Sequence, residues 1–183
     1  SISEDDSTLI VTTAGSDKVI TMDANSGEVL GRVDVEAVPR GVALTSFEDG
    51  RPSQAWVLNA VENTVSLVDV SNTFEPNLVG TILLEDPTHP TVKRGRKAFE
   101  TASASTTGTF ACASCHADGH TDQLLWVLNT PIVTGGDQIQ PRTTMPIRGL
   151  RDTEPYHWDG IPGDPYGGVN AANTDDYVPP NSN

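Results

Sequence analysis

The chain has 183 residues, with 11 lysines and arginines against 25 aspartates and glutamates, a formal net charge of −14 and a sequence pI of about 4.4. This charge excludes nucleic acid as an expected partner, because a polyanion would be repelled over most of the surface. No run approaches the roughly 18 apolar residues of a membrane-spanning helix, and 16 glycines, 13 prolines and 36% hydrophobic residues indicate a polar, loop-rich globular protein of one large or two small domains.

The first part of the chain has the pattern of short strands separated by tight turns. Four β-rich runs are bounded by turn-forming strings such as Ala14–Asp17 and Ala24–Gly27, and these runs are Thr8–Thr13, Lys18–Asp23, Glu28–Val35 and Gly41–Thr45. We interpret Asp17, Asp23 and Asp69 as turn formers, because a short carboxylate can accept hydrogen bonds from nearby main-chain N–H groups.

This strand pattern returns further along the chain. Asp17–Asp23 aligns with Asn63–Asp69 at an offset of 46 residues (63 − 17), Ile10 aligns with Trp56, and Leu78–Leu84 is the last predicted strand. A period of about 40 to 50 residues with four strands per unit is typical of β-propeller blades, and an ordinary antiparallel meander is the alternative. Because propellers close with about four to eight blades, two blades predict that a longer polypeptide or another chain completes the stack.

A proline-punctuated linker, Glu85–Pro90, marks a predicted boundary between propeller-like blades at residues 1–86 and a second domain at residues 87–183. The next stretch, Thr91–Ala102, is the best helix candidate, and its apolar side is formed by Val92, Ala98, Phe99 and Ala102. The same stretch holds the only dense basic cluster in the sequence. Such clusters are usually solvated helix faces, and a docking patch for an acidic redox partner is the alternative for Lys93, Arg94, Arg96 and Lys97.

Both cysteines lie in one string, Cys112-Ala113-Ser114-Cys115-His116. A C-x-x-C-H string is typical of covalent c-type haem attachment, because each thiol can add to one vinyl group of the porphyrin and the histidine can bind the iron. The string therefore predicts one covalent haem c held by Cys112, Cys115 and His116. Such attachment takes place outside the bacterial cytoplasmic membrane, so we expect a periplasmic or extracellular protein whose secretion signal is removed or lies outside the sequence.

Three other interpretations of this string are weaker. A thioredoxin-like redox pair would sit in an α/β pattern, which is absent around it. A zinc site from Cys112, Cys115, His116 and His120 would draw four ligands from nine residues, whereas zinc sites normally combine separated pairs. A disulfide between the two cysteines would close too small a loop to stabilise the fold much.

The sixth iron position decides between functions, since a methionine ligand raises the haem potential and a filled position favours electron transfer over substrate activation. The candidates are Met145, which a proline-stiffened loop presents and which could instead be a core residue, and His157, whose alternative role is a structural hydrogen bond. The neutral imidazole of His116 needs its other nitrogen to donate a hydrogen bond, usually to a carbonyl.

Further cofactor contacts follow from residue type. Arg142, Arg148 and Arg151 are candidates for the haem propionates, because guanidinium groups match carboxylates, and a surface role is the alternative for each. Trp126, in the apolar run Gln123–Asn129, is expected to pack at the haem. A calcium site is a further hypothesis for two oxygen-rich segments, Asp159–Asp164 and the pair Asp175 and Asp176. Most loops of this kind bind no ion.

The second part resembles the di-haem cytochrome c peroxidase superfamily, as found in exported proteins in which a β-propeller precedes such a domain. The resemblance covers roughly residues 91 to 163 and rests on Gly95–Phe99, Phe110–Asp122 and Arg148–Gly160, the last of which is similar to the family's LRN…T-x-P-Y-x-H-x-G string. It implies a mixed fold in which all-β propeller-like blades are followed by a mainly α-helical or irregular cytochrome c domain.

The departures from that family shape the functional expectation. The chain has one haem motif where the family has two, no methionine after Met145 and no predicted helix after residue 130, so we expect a part of a longer protein. The favoured function is an exported c-type cytochrome that transfers electrons. The alternative is part of a di-haem peroxidase-like oxidoreductase whose second haem lies elsewhere, which leaves enzymatic activity open. The expected partner is a redox protein, or a further chain or segment that completes the propeller and the haem domain.

Overall fold

The structure is a computed structural model that describes residues 1–105, 107–130 and 138–150. The chain divides into two compact units, the first covering Ser1–Ser114 and the second beginning at Cys115. The described part is mostly β, as predicted for its first half. No described helix is long and apolar enough to cross a membrane, since the longest has 11 residues.

Two antiparallel sheets make up most of the first unit. Sheet 1 has the order β1-β2-β3, with β1 Thr8–Thr13, β2 Lys18–Asp23 and β3 Val29–Asp34. Sheet 2 has the order β4-β5-β6-β7, with β4 Pro39–Ser46, β5 Pro52–Asn59, β6 Thr64–Asp69 and β7 Asn77–Leu83. Every strand that was predicted with bounds is confirmed to within two residues at each end.

Sheet 1 carries a rudimentary fourth strand. Ile2 forms an isolated antiparallel bridge with Leu9, and Ser1 and Ile10 exchange hydrogen bonds of 3.0 and 2.8 Å between their main-chain groups. This position along β1 corresponds to that of β4 along β5. The fourth predicted strand therefore belongs to sheet 2, because β4 pairs with β5 through a short hairpin.

The two sheets share equivalent main-chain hydrogen bonds, which supports the repeat seen in the sequence. Asp17 and Asn63 occupy the same turn position with φ of 54° and 58°. The carbonyl of Asp17 accepts from Val35 N–H at 2.9 Å, and that of Asn63 accepts from Leu84 N–H at 3.1 Å. In both sheets, one turn residue thus holds the chain that leaves the last strand.

The side chains at these turns complete the repeat. Asp17 Oδ1 accepts from Val38 N–H at 2.9 Å, whereas Asn63 Nδ2 donates to the carbonyl of Glu85. Asp23 accepts from Ser26 N–H, and this bond keeps the pKa of Asp23 below its ordinary value. Asp69 accepts from the Ser71 hydroxyl at 2.7 Å, with the same effect on the pKa of Asp69. The prediction that the three aspartates form turns is confirmed.

The core lies between the two sheets. Sheet 1 contributes Ile10 and Val19, and sheet 2 contributes Ala55, Val57 and Val68, all of them completely buried. β1 contacts β4 and β5, and β3 contacts β7, so the strands of the two sheets stack in matching order. Burying these aliphatic side chains removes apolar surface from water and holds the sheets together.

The sheets meet through non-equivalent faces. Ile10 and Val19 of sheet 1 align by the 46-residue offset with Trp56 and Val65, which lie on the face of sheet 2 that points away from the core. Side chains alternate between the two faces of a strand, so Ala55 and Val57 take the opposite side. The face of sheet 1 that carries Ile10 and Val19 therefore packs on the face of sheet 2 that carries Ala55 and Val57, and these two faces are not counterparts in the repeat.

This arrangement leaves one apolar face on each sheet outside the core. The outer face of sheet 1 consists of Ile2, Leu9, Val11, Ile20 and Met22, as the strand register shows. The outer face of sheet 2 consists of Ala43, Trp56, Leu58, Val65, Leu67 and Ile82. Several of these side chains are strongly exposed, with 48% for Ile2, 42% for Leu58 and 50% for Ile82.

One glycine of sheet 1 contacts the main chain of sheet 2 closely. A Cβ at Gly31 would lie 2.5 Å from Pro76 Cδ and 2.7 Å from the Thr73 carbonyl. The hydroxyl of Thr21, which pairs with Gly31 across the strands, donates to the same carbonyl at 2.5 Å. Only glycine fits here, because the β6–β7 turn of sheet 2 packs directly against it.

The helix α1, Pro90–Glu100, packs on the β-rich unit through charged side chains. Lys93 Nζ lies 3.0 Å from both Glu62 and Asp86, and Lys97 Nζ lies 2.8 Å from Glu62. Two of the four cations of the basic cluster therefore face the fold. No residue of α1 is buried and Val92 is 54% exposed, whereas Ala102, just beyond the end of α1, is buried, so the described residues cover the predicted apolar side of the helix only in part.

The end of α1 is tied to sheet 1 and to the start of sheet 2. Glu100 forms an ion pair with Arg40 at 2.7 Å, and Ala102 N–H donates to the carbonyl of Gly15 at 2.8 Å. These contacts attach α1 to the β-rich part of the first compact unit, which continues to Ser114.

Candidate cofactor site

The cysteine string forms a short helical turn, α2, with bounds Cys112–Cys115. Cys112 is exposed, Cys115 is half-buried and the two form no disulfide, so the disulfide interpretation is not supported. The turn is fixed at its start because Ala111 N–H donates to Ser114 Oγ at 3.0 Å, and Ser114 N–H donates back to the Ala111 carbonyl at 3.0 Å.

His116 follows α2 directly, and its imidazole makes a hydrogen bond to a main-chain group. Its Nδ1 lies 2.9 Å from the main-chain carbonyl of Met145, which can only accept. Nδ1 therefore carries a proton, and in the neutral imidazole Nε2 then has a lone pair that can bind a metal. This is the hydrogen bond that a metal-ligating imidazole requires.

The Met145 carbonyl belongs to a segment that runs along the histidine loop. We name Thr144–Arg148 the strap and His116–Gln123 the histidine loop. Thr121 Oγ1 donates to the carbonyl of Thr144 at 2.7 Å, and Ile147 N–H donates to the carbonyl of Gly119 at 2.9 Å. With the hydrogen bond between His116 and Met145, three hydrogen bonds join the strap to the histidine loop. They hold the imidazole of His116 in one orientation.

Arg148 closes the strap against the loop. Its Nε and one terminal nitrogen both donate to the carbonyl of Asp118, at 2.9 and 2.7 Å. Asp118 and Gly119 have positive φ values of 52° and 76°, which turn that carbonyl towards the guanidinium. Arg148, predicted as a propionate ligand, thus uses two of its N–H groups to hold the loop that follows His116.

A second polar cluster orders the apolar run after the loop. Asp122 N–H donates to the carbonyl of Cys115 at 3.0 Å, and the Asp122 carboxylate accepts from Leu124 N–H and from Trp126 Nε1, each at 2.9 Å. The bond from Leu124 N–H keeps the pKa of Asp122 below its ordinary value. Asp122 therefore stays ionised at neutral pH and fixes the indole of Trp126.

Large apolar side chains are exposed in the second unit. The exposed fractions are 53% for Leu124, 65% for Leu125, 41% for Trp126 and 44% for Met145. The run continues as a hairpin of β8, Leu125–Thr130, and β9, Gln138–Thr143. The predicted apolar run Gln123–Asn129 therefore leads into β8, and its residues Leu124, Leu125 and Trp126 are exposed.

The structure tests the zinc interpretation as well. Within the described residues, no three or more His, Cys, Asp and Glu side chains come close enough to hold a metal ion between them. His120 is exposed. The described residues therefore give no support to a zinc site formed by Cys112, Cys115, His116 and His120.

Several predicted site residues fall outside the description. The structure brings Met145 and Arg148 to the loop of His116 and orders Trp126 beside it. The side chain of Arg142 lies outside the described residues, and so do Arg151, His157 and both hypothetical calcium sites.

Sequence reasoning did not single out three residues that shape the site, namely Asp118, Thr121 and Asp122. Their role is to accept or donate main-chain hydrogen bonds in a loop with three positive φ values, at Asp118, Gly119 and Gln123. The high density of Asp, Thr, Gly and His over these positions was the available signal, since such residues favour local turns.

The chain matches no protein-family model and no curated protein sequence. Among solved structures, it is similar to a chain of Kuenenia stuttgartiensis hydrazine synthase, with 30% sequence identity and a TM-score of 0.40. That match covers 46% of this chain and 22% of the other. It covers too little of either chain to establish a shared fold.

Proposed function

We propose that this chain is a c-type cytochrome that holds one covalent haem through Cys112, Cys115 and His116 and transfers electrons. The observation that carries the proposal is the hydrogen bond from His116 Nδ1 to the Met145 carbonyl. Within a C-x-x-C-H string, this bond leaves Nε2 as the free nitrogen, which is the state that an axial iron ligand needs.

The residues present fit a haem. Two thiols lie at the ends of one helical turn, a correctly protonated imidazole follows them, and four large apolar side chains of the second unit are exposed. A bound haem supplies an iron centre that accepts and releases one electron. The two cysteine sulfurs would form the covalent links, and His116 would hold its ring in one orientation because the strap fixes Nδ1.

We also propose that Met145 supports His116 and is not the sixth ligand. The two nitrogens of an imidazole point in nearly opposite directions, so a residue whose carbonyl binds Nδ1 lies on the side of the ring away from Nε2. A methionine held there is poorly placed to put its sulfur on the far side of the metal. Of the two predicted candidates, His157 remains, or a group that this chain does not supply.

The β-rich unit is proposed to be two consecutive blades of a β-propeller. The matching stack of strands, the shared turn hydrogen bonds and the packing through non-equivalent faces support this proposal. A rotation that carries one blade to the next produces this kind of contact, whereas a two-fold axis would pair equivalent faces. The proposal extends to an exported protein that meets a redox partner.

Intact mass under denaturing conditions tests covalent attachment. We expect the full chain, exported from a bacterium that attaches haem c, to carry the mass of one haem, and the Cys112→Ala, Cys115→Ala double variant to carry none. His116→Ala should lose the low-spin spectrum, whereas the matched control His120→Ala should keep it. A mature exported protein without covalent haem would overturn the proposal.

A spectrum of Met145→Leu tests the role of Met145. We expect the absorption spectrum and the reduction potential to stay close to those of the natural chain, because the main-chain carbonyl is retained. Loss of a near-infrared sulfur-to-iron band in Met145→Leu would contradict this and identify the sulfur as the ligand. A high-spin ferric spectrum that changes on adding peroxide would instead favour an enzyme over an electron carrier.

A further inference from the structure

The outer face of sheet 2 has the residues of a packed interface but no neighbour among the described residues. Its Trp56 and Val65 are the counterparts of Ile10 and Val19, which in sheet 1 are completely buried against sheet 2. Leu58 and Ile82 on the same face are 42% and 50% exposed. A contiguous apolar face of this kind on one sheet marks a surface for protein contact.

The outer face of sheet 1 has the complementary pattern. Leu9 and Val11 are the counterparts of Ala55 and Val57, which bury Ile10 and Val19 inside the chain. Among the described residues, both halves of the interface inside the chain therefore recur without a partner, one half on each sheet. A surface with both halves can associate with itself in a head-to-tail manner.

A glycine supplies a second, independent observation. Gly80 pairs with Leu67 just as Gly31 pairs with Thr21, so the two glycines are counterparts. Gly31 is required because the β6–β7 turn packs against it, whereas a Cβ at Gly80 would meet nothing within 4 Å. A glycine weakens a strand interior and often marks the close approach of another main chain. Gly80 is therefore a glycine like Gly31, but no main chain of the described residues packs against it as the β6–β7 turn packs against Gly31.

We propose that the outer face of sheet 2 binds the outer face of sheet 1 of a second copy of this chain. The contact would repeat the geometry of the interface inside the chain, and it rests on the assignment of the sheets as propeller blades. Head-to-tail contacts close into a ring when the rotation permits.

Sedimentation velocity on the full chain tests the association. We expect one discrete oligomer at micromolar concentrations. Ile82→Asp, on the outer face of sheet 2, and Ile20→Asp, on that of sheet 1, should each give a monomer, because a charge in an apolar contact raises the dissociation constant by about 100-fold or more. Phe74→Asp, at a residue that is 68% exposed and on neither face, is the matched control and should remain oligomeric.

Mixing the two altered chains distinguishes the head-to-tail arrangement from a two-fold dimer. Each variant retains one intact face, so an equal mixture of Ile82→Asp and Ile20→Asp should form a dimer although each alone is monomeric. A monomeric natural chain would overturn the proposal. So would an oligomer that survives Ile20→Asp and is lost with Ile82→Asp, because that result indicates equivalent faces packed together. Circular dichroism of each variant confirms that the fold is retained.

The association assay does not depend on the haem. His116→Ala should lose the low-spin haem spectrum and still associate, since His116 lies outside both outer faces. A chain that associates but carries no covalent haem by intact mass would reject the cytochrome proposal and leave the assembly proposal standing. Covalent haem on a strictly monomeric chain would reject the assembly alone.

Discussion

At the scale of single residues, one glycine determines how closely the two sheets can approach. Gly31 is buried beneath the β6–β7 turn, where Thr73 and Pro76 occupy the space that a side chain would need. The hydroxyl of Thr21 bonds to the same turn. The contact between the sheets therefore depends on main-chain proximity as well as on the aliphatic core.

We predict that Gly31→Ala lowers the free energy of unfolding by about 1 to 3 kcal/mol, the usual cost of forcing extra atoms into a packed site. Urea denaturation of the full chain measures the change. The matched control is its counterpart, Gly80→Ala, in dilute solution, where a Cβ meets nothing within 4 Å and the unfolding free energy should not fall. Equal destabilisation by both variants would show that strand propensity, and not the turn, is responsible.

The hydroxyl of Thr121 links the histidine loop to the strap. It donates to the carbonyl of Thr144 at 2.7 Å and accepts from Gln123 N–H at 2.9 Å. We predict that Thr121→Val weakens this link by about 1 kcal/mol, so the amide of Ile147 should exchange its hydrogen roughly fivefold faster. Thr107→Val, at an exposed residue of the first unit, is the control and should leave that exchange rate unchanged.

Residue roles at the site were only partly predictable from the sequence. The C-x-x-C-H spacing singled out Cys112, Cys115 and His116 as candidates for haem attachment because it is a local pattern. The partner of His116 lies 29 residues away along the chain and is a main-chain atom, which no side-chain pattern reveals. The contact between Arg148 and Asp118 likewise depends on a positive φ that the residue type alone does not specify.

At the scale of elements, α1 is held by a small network of charges. Glu62 accepts hydrogen bonds from Lys97 and Lys93, which lower the pKa of its carboxyl group. The hydrogen bond from Thr88 N–H, aided by Lys93, lowers the pKa of Asp86 to about 2. Conversely, Glu62 raises the pKa of Lys93 above its ordinary value. The helix therefore packs through polar contacts, while Val92 on its apolar side stays exposed.

This network predicts a direction for the pH dependence of stability. A carboxyl group with a depressed pKa in the fold binds fewer protons than in the unfolded chain, so its contribution is complete above its unfolded pKa. For Asp86 that contribution should be lost as the pH falls from about 4 to about 2. The lysine contribution should be lost only above pH 10.5, the ordinary pKa of lysine. Thermal unfolding as a function of pH measures both effects.

We predict that Glu62→Gln lowers the stability at pH 7 by about 1 kcal/mol, because it removes the acceptor shared by two lysines at a partly exposed site. It should also reduce the loss of stability on acidification. Glu4→Gln, at an exposed residue of the same unit, is the matched control and should alter neither. An acid transition unchanged by Glu62→Gln would show that the network does not control it.

Elements were predicted well where the pattern is local. Alternating apolar residues and Asp- or Gly-containing turns located all seven strands of the first unit and the one long helix. The strand pattern did not predict which sheet β4 joins. The turn between β4 and β5 decides this, because it brings β4 back alongside β5 in sheet 2. The packing side of α1 was also hidden, since Lys93 and Lys97 contact Glu62, whereas Val92 on the apolar side is exposed.

At the scale of the whole molecule, charge opposes self-association. Each copy has a net charge of −14, and like-charged copies repel one another over distances comparable to the Debye length. The proposed contact between outer faces is apolar, so it would form in spite of this repulsion. Its salt dependence should therefore differ in sign from that of an interface built on opposite charges.

We predict that raising sodium chloride from about 20 to about 300 mM, which shortens the Debye length severalfold, lowers the dissociation constant of the oligomer by roughly tenfold. Sedimentation velocity at both salt concentrations measures the change. Weakening by salt would instead indicate charge complementarity, and Ile82→Asp should remain monomeric at both concentrations. Sodium sulfate should strengthen the contact further, because it favours the burial of apolar surface.

The two turn residues that hold the chain exits, Asp17 and Asn63, have a genetic consequence. The Asp17 carboxylate can only accept, and it meets the N–H of Val38, whereas the Asn63 amide donates to the carbonyl of Glu85. A chimaera in which the first repeat replaces the second would set a carboxylate against a carbonyl, and two acceptors repel. Recombination between the repeats is therefore constrained at one position, and an exchange tolerated by the fold would have to carry the exit segment together with its turn residue.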